Sequence, residues 1–151
     1  MFELGKAEVL SSADKKKMQT KAEELLQKLL FHKVNTIEST YSAVVYTSTK
    51  KMYIGFNTFS STHTLSFHAE QAAIINALLN FDSDIHAIAI CSDSDSTPPY
   101  PCGICLQLLY ENARQSKHDI IIYYKYCNIW NKTLLTKLYP HPWPNRTPRY
   151  L

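Results

Sequence analysis

Residues 85–91 read Ile85-His86-Ala87-Ile88-Ala89-Ile90-Cys91, a nearly continuous apolar run. Such a run is expected of a strand covered on both faces, as happens where crossovers lay helices against a sheet. Its flanks agree with that reading. Upstream, 68–80 is apolar, alanine-rich and made of good helix formers, which predicts a buried helix. Downstream, 92–101 is a polar loop of Ser, Asp and Pro. After it, Leu106, Leu109, Tyr110 and Ala113 fall at helical spacing within 102–115. A second apolar strand follows at 120–126.

Further out, 12–33 predicts an amphipathic helix with Met18, Ala22, Leu25, Leu26, Leu29 and Leu30 at its periodic positions and Ser12 or Asp14 as cap. Residues 41–47 and 51–56 are β-rich runs joined by Ser48-Thr49-Lys50, a hairpin signal. A short strand is expected at 128–133 and a helical turn at 134–139. From Pro140 onward, Pro140, Pro142, Pro144 and Pro148 make the tail irregular. The order of elements implies an α/β fold, a three-layer α/β/α sandwich on one mixed five-stranded sheet. The first two strands should be antiparallel, and the strands joined through helices parallel with right-handed crossovers. At 151 residues, one domain over 1–151 is the expectation.

Charge narrows the function classes. With 16 Lys and Arg against 13 Asp and Glu, the formal net charge is +3, which excludes a polybasic nucleic-acid tail or a disordered polyelectrolyte. No Lys or Arg lies between Lys51 and Arg114, whereas that stretch holds Glu70, Asp82, Asp84, Asp93, Asp95 and Glu111. Gly5, Gly55 and Gly103 are too scattered for a glycine-rich phosphate loop. Lys15-Lys16-Lys17 reads as a solvated helix face. No apolar stretch approaches the ~20 residues of a membrane span. Without a signal-peptide pattern after Met1, a reducing cytoplasmic setting is expected, where Cys-x-x-Cys means metal or redox chemistry. Cys91 and Cys127 read as buried strand residues, and His32, His86 and His118 as surface residues near element ends.

Two short motifs carry the chemistry. His68-Ala69-Glu70 opens the second predicted helix, and Pro101-Cys102-Gly103-Ile104-Cys105 opens the third. Spacing i, i+3 places both cysteines on one helical face, and helix N-termini favour thiolates. One His and two Cys are three ligands, and zinc with three protein ligands and an open fourth position is the catalytic pattern. Zinc lowers the pKa of water at that position to roughly 7. Glu70, two residues from the first ligand, is placed to move protons. Other readings of the same residues remain: a redox pair at Cys102 and Cys105, or a structural zinc in a binding module with Cys91 or His63 as fourth ligand.

Taken together, the motifs resemble those of the cytidine deaminase superfamily, whose signature is H-x-E followed by P-C-x-x-C. The resemblance extends over roughly residues 12–140. It implies a cytidine deaminase-like fold, Zn²⁺ held by His68, Cys102 and Cys105, and Glu70 as catalytic proton shuttle. Gly55-Phe56-Asn57 resembles the segment where free-nucleoside deaminases carry a sugar-binding Asn, so Asn57 would contact a ribose hydroxyl. The Glu usual two residues later is Phe59 here, an aromatic as in the related blasticidin-S deaminases. Backbone groups at Ala69 would orient the base. In tetrameric nucleoside enzymes the first ligand is commonly Cys with an Arg after the catalytic Glu; here they are His68 and Gln71. The two changes balance, because three thiolates on Zn²⁺ leave −1 and His with two thiolates leaves zero. The implied activity is hydrolytic deamination of a cytosine-type nucleoside or analogue, in a homotetramer whose neighbours complete each pocket. Nucleic-acid-editing deaminases share the motif but carry a helix between the last two strands, for which 126–133 is too short. A basic-free motif segment also favours an uncharged, nucleoside-like ligand over nucleic acid. The basic residues from Arg114 to Arg149 could still fold over the site, and Trp143 could stack on a base.

Overall fold

The computed structural model describes residues 4–34, 38–62 and 65–143. Among the described residues, four helices and five strands follow in the order α1 (Ser12–Phe31), β1 (Tyr41–Thr47), β2 (Met52–Phe56), α2 (Ala69–Leu79), β3 (Ile85–Ser92), α3 (Gly103–Ser116), β4 (Ile121–Tyr126), β5 (Ile129–Leu134) and α4 (Leu135–Leu138). The strands form one mixed sheet in the order β2-β1-β3-β4-β5. The last two Arg residues, Arg146 and Arg149, and His63 lie outside the described residues.

Two apolar clusters define the layers. Ala73, Ile74 and Ala77 of α2 and Leu106, Leu109 and Ala113 of α3 pack with Ala43, Val45, Ile88, Ile90 and Ile122 of the sheet. On the other face, Met18, Ala22 and Leu26 of α1 pack with Val44, Tyr46, Ala87, Ala89, Cys91 and Tyr123. Alternate residues of β1 and β3 therefore enter opposite cores, which is why the 85–91 run has no polar face. The three-layer α/β/α sandwich expected from element order is the architecture observed.

The strand directions refine the expectation. β3 and β4 are parallel across α3. β2 and β3, joined through α2, run the same way but are separated by β1, antiparallel to both. The hairpin turns β1 inward because its Ala43-Val44-Val45-Tyr46 run can bury both faces, while β2 alternates and leaves Ile54 exposed at the edge. β4 and β5 form a hairpin closed at Cys127 and Asn128, both at positive φ, 48° and 62°. Two such residues make a type I′ turn, which matches strand twist. Cys127 is thus exposed in a turn, where the sequence suggested a buried strand residue. The α1 cap is also corrected: Ser11, not Ser12 or Asp14, takes the N-cap and accepts from the Asp14 N–H.

Candidate active site

Gly55 of β2 sets where α2 begins. A Cβ at Gly55 would fall on the backbone of Ala69, Ala72 and Ala73, so the glycine lets the first turns of α2 lie directly on the strand. His68 occupies the N-cap of α2, and its N–H donates to Gln71 Oε1 at 2.9 Å. Gln71, at the place of the Arg found in related enzymes, therefore closes the helix start. Cys102 occupies the N-cap of α3, with Cys105 inside its first turn. The polar loop 93–102 brings this second helix start against the first.

His68 Nδ1 lies 3.3 Å from Cys102 Sγ and 3.5 Å from Cys105 Sγ, and the two sulfurs are 3.7 Å apart. Tetrahedral zinc, with Zn–S of about 2.3 Å and Zn–N of about 2.0–2.1 Å, requires edges of about 3.8 Å between sulfurs and about 3.5 Å from sulfur to nitrogen. The three donors already stand at those edges. Among the described residues no other His, Cys, Asp or Glu joins this group, so Cys91 is not a fourth ligand. Cys91 sits in the α1 core, its thiol pushed up to about 12 by burial. His63 is outside the described residues. The ring of His68 beside both sulfurs fits a metal centre better than a two-cysteine redox pair.

Electrostatics fit a cation as well. Burial pushes the Cys105 thiol far up, and Glu70 and Cys102 push it the same way. Burial likewise raises the Glu70 carboxyl, against the opposing effects of its own backbone N–H, the His68 ring and the Cys105 thiol. Three potential anions share one buried corner, and a dication among them removes that conflict.

The corner opens into a cavity of about 250 Å³ lined by Tyr41, Asn57, Phe59, His68, Ala69 and Glu70 on one side and by Thr97, Pro98, Pro99, Tyr100 and Cys102 on the other. All seven residues singled out from the sequence converge, six on the wall and Cys105 in the donor triangle. No Lys or Arg is among those lining residues. Asn57 is buried and already structural: its Oδ1 accepts from the Tyr41 N–H at 2.7 Å and its Nδ2 donates to the Ser39 carbonyl at 2.9 Å. Trp143 is exposed and is not among the lining residues, its N–H donating to Gln107 Oε1. Sequence reasoning missed Tyr41 and Tyr100. Tyr100 rests on Tyr124, rings 4.8 Å apart, and its only sequence signal was its place in Pro-Pro-Tyr-Pro just before Cys102.

A family model described as the cytidine and deoxycytidylate deaminase zinc-binding region matches residues 13–121. No curated protein sequence matches the chain. Among solved structures, cytidine deaminase from Burkholderia pseudomallei is similar with a TM-score of 0.71 at 19% identity, covering 89% of this chain and 100% of that one. Cytidine deaminase from Mycobacterium tuberculosis gives 0.68 at 17% identity, covering 87% and 98%. The Mycobacterium leprae enzyme gives 0.64 at 18%, covering 83% and 97%. At these identities the structural likeness bears on the fold.

Proposed function

From the premise that this chain belongs to the cytidine and deoxycytidylate deaminase zinc-binding family, and is a zinc-dependent deaminase-like hydrolase, we propose that it deaminates a cytosine-type nucleoside or analogue, releasing ammonia. One observation carries the reading: the His68, Cys102 and Cys105 donor triangle and the Glu70 carboxyl meet at a small cavity, lined in part by His68, Glu70 and Cys102, whose lining residues include no Lys or Arg.

His68 Nδ1 and the sulfurs of Cys102 and Cys105 would hold zinc, which supplies a Lewis acid and makes water acidic enough to react at neutral pH. Glu70 then does the proton work. Its carboxylate takes a proton from the attacking water and delivers it to the pyrimidine ring nitrogen. A second transfer through the same carboxyl goes to the exocyclic amine, which leaves as ammonia. Burial suits Glu70 to this, because it pushes the carboxyl above its ordinary range and so favours holding a proton between the two transfers. The Ala69 backbone lies on the wall where the base would be oriented. Asn57 would contact the ribose while still holding Ser39 and Tyr41. Phe59, half exposed at the rim, offers an apolar contact where a second sugar-binding Glu is usual in nucleoside deaminases.

The β4–β5 hairpin supports the nucleoside branch, since its turn leaves no room for the helix that nucleic-acid-editing relatives place there. An uncharged substrate also suits the lining, because a phosphate would need Arg or Lys partners. A homotetramer follows from the resemblance, with neighbouring copies completing the rim around Phe59. No helix among the described residues is long and apolar enough to cross a membrane, and a zinc site built on two thiolates suits a reducing cytoplasm. The deciding experiment is ammonia release by purified protein from cytidine, deoxycytidine, their monophosphates, blasticidin S and single-stranded oligonucleotides. Turnover of an unphosphorylated substrate is expected; turnover of oligonucleotides alone would overturn the reading.

A further inference from the structure

At the opposite end of β3 from the cavity, two imidazoles and two carboxylates meet. His118 Nε2 lies 2.8 Å from Asp84 Oδ1, and His86 Nε2 lies 3.5 Å from Asp84 Oδ2. The sequence suggested surface histidines, but the two side chains are only 8% and 12% exposed. The other ring nitrogens are engaged too. His118 Nδ1 is 3.0 Å from the Asp119 carbonyl oxygen, and His86 Nδ1 is 3.2 Å from Glu8 Oε2.

A carbonyl oxygen only accepts, so His118 Nδ1 carries a proton and donates it. Neutral His118 then turns the lone pair of Nε2 toward a carboxylate oxygen, acceptor against acceptor. His86 faces the same conflict, because both its nitrogens face carboxylates. Positive charge among the three groups, carried on the rings or by a bound cation, removes the conflict. Two imidazolium rings would stand with centroids 4.4 Å apart, like charges in contact at a largely buried place. One dication replaces both protons and also meets the carboxylate.

We propose that Asp84, His86 Nε2 and His118 Nε2 form a second metal site, taking a divalent transition-metal ion of the zinc class. The three ligand atoms lie within 4.8 Å of one another. Two imidazoles and a carboxylate are a donor set used for zinc. Metal-bound imidazoles usually donate their other N–H to a carboxylate or carbonyl, which fixes the tautomer; Glu8 and the Asp119 carbonyl occupy those places. A cavity of about 220 Å³ lined by Glu8, Ser48, Lys50 and His86 among others reaches the cluster at His86. Five residue steps of about 3.3 Å along β3, from His86 to Cys91, keep this site ~17 Å from the end of the strand at which the catalytic cavity lies. The segment carrying Glu8 is already tied alongside His118, with Gly5 N–H donating to the Lys117 carbonyl and Asp119 N–H to the Gly5 carbonyl. An ion here would fasten that segment to the sheet.

The test strips the full chain of metal with chelator, reloads it with Zn²⁺, dialyses it and counts ions per chain by mass spectrometry. Wild type is expected to hold two. Asp84→Asn and His118→Gln should hold one, with affinity at the lost site down at least about 100-fold, and Glu8→Gln should weaken it about 10-fold. A wild-type count of one, or a count of two in the Asp84 and His118 variants, overturns the site. Should those variants fail to fold, wild type given one equivalent of zinc and then Co²⁺ decides. Cobalt d–d bands without thiolate charge transfer are expected, and their absence overturns the proposal. Neither readout depends on deaminase activity, so failure of the proposed substrate leaves this test intact.

Discussion

His68 Nδ1 and Cys102 Sγ stand 3.3 Å apart, and each belongs to the N-cap residue of its own helix. Two helix N-termini are thus aimed at one point, and their partial positive charges favour thiolates there. Cys105, the most buried donor, is fully shielded from solvent. Replacing it leaves two donors, too few for tight zinc binding. Cys105→Ala is expected to lower zinc affinity at least about 100-fold and abolish turnover, read by metal analysis after dialysis against a competing chelator.

Glu70 separates proton transfer from metal binding. Its carboxyl is buried beside the donors but is not one of the donor triangle. Glu70→Gln keeps the size and removes the proton carrier. The variant should retain zinc at the wild-type level while kcat falls about 10²–10⁴-fold, the usual weight of a general acid–base group. Loss of zinc in this variant would reassign Glu70 to a structural role.

The chemistry was legible because it is local: H-x-E and P-C-x-x-C each lie in one helix start, where spacing alone decides which side chains share a face. The fold class was legible for a similar reason, since a double-sided apolar strand between two helices admits few architectures. What was hidden depends on contacts between elements. That β1 inserts between β2 and β3 follows from relative burial of the two hairpin strands, which neither strand's pattern states by itself. Tyr41 and Tyr100 join the cavity only through the paths of the loops before β1 and α3. His86 sat in the middle of an apolar reading, and His118, 32 residues further on, gave no hint that the two rings touch.

Gly55 links the edge strand to the site. Its missing side chain is what lets α2 lie on β2, as any Cβ would meet the backbone of Ala69 and Ala73 rather than movable side chains. Gly55→Ala must push α2 outward, and His68 and Glu70 move with its first turn. A loss of about 1–3 kcal/mol is expected from the overpacking, read by urea denaturation. Turnover should fall by more than the unfolded fraction explains, because the donor triangle opens.

Asp82 contributes to the sensitivity of the fold to acid. This buried carboxylate, in the α2–β3 connection, accepts on Oδ2 from Thr47 Oγ1 at 2.8 Å, Tyr53 OH at 2.9 Å and Thr49 Oγ1. Burial alone would raise its pKa, but the Thr49, Thr47 and Tyr53 hydroxyls outweigh that and hold it below the usual value of 3.8. A lowered folded pKa means that the stabilisation is fully present above the unfolded pKa of about 3.9 and is lost as pH falls through the folded value. Tyr53 shows the converse: burial and the Asp82 carboxylate raise its phenol above 10.0, so its contribution is lost as pH rises beyond that. Asp82→Asn should therefore flatten the dependence of unfolding free energy on pH below about 4 and again above about 10. At neutral pH, Asp82→Ala should cost about 3 kcal/mol, since hydrogen bonds to a charged group are lost and buried hydroxyls are left without their acceptor. Denaturation midpoints across pH for the wild type and both variants check each part. An unchanged acid limb in Asp82→Asn would place the acid sensitivity in another carboxylate.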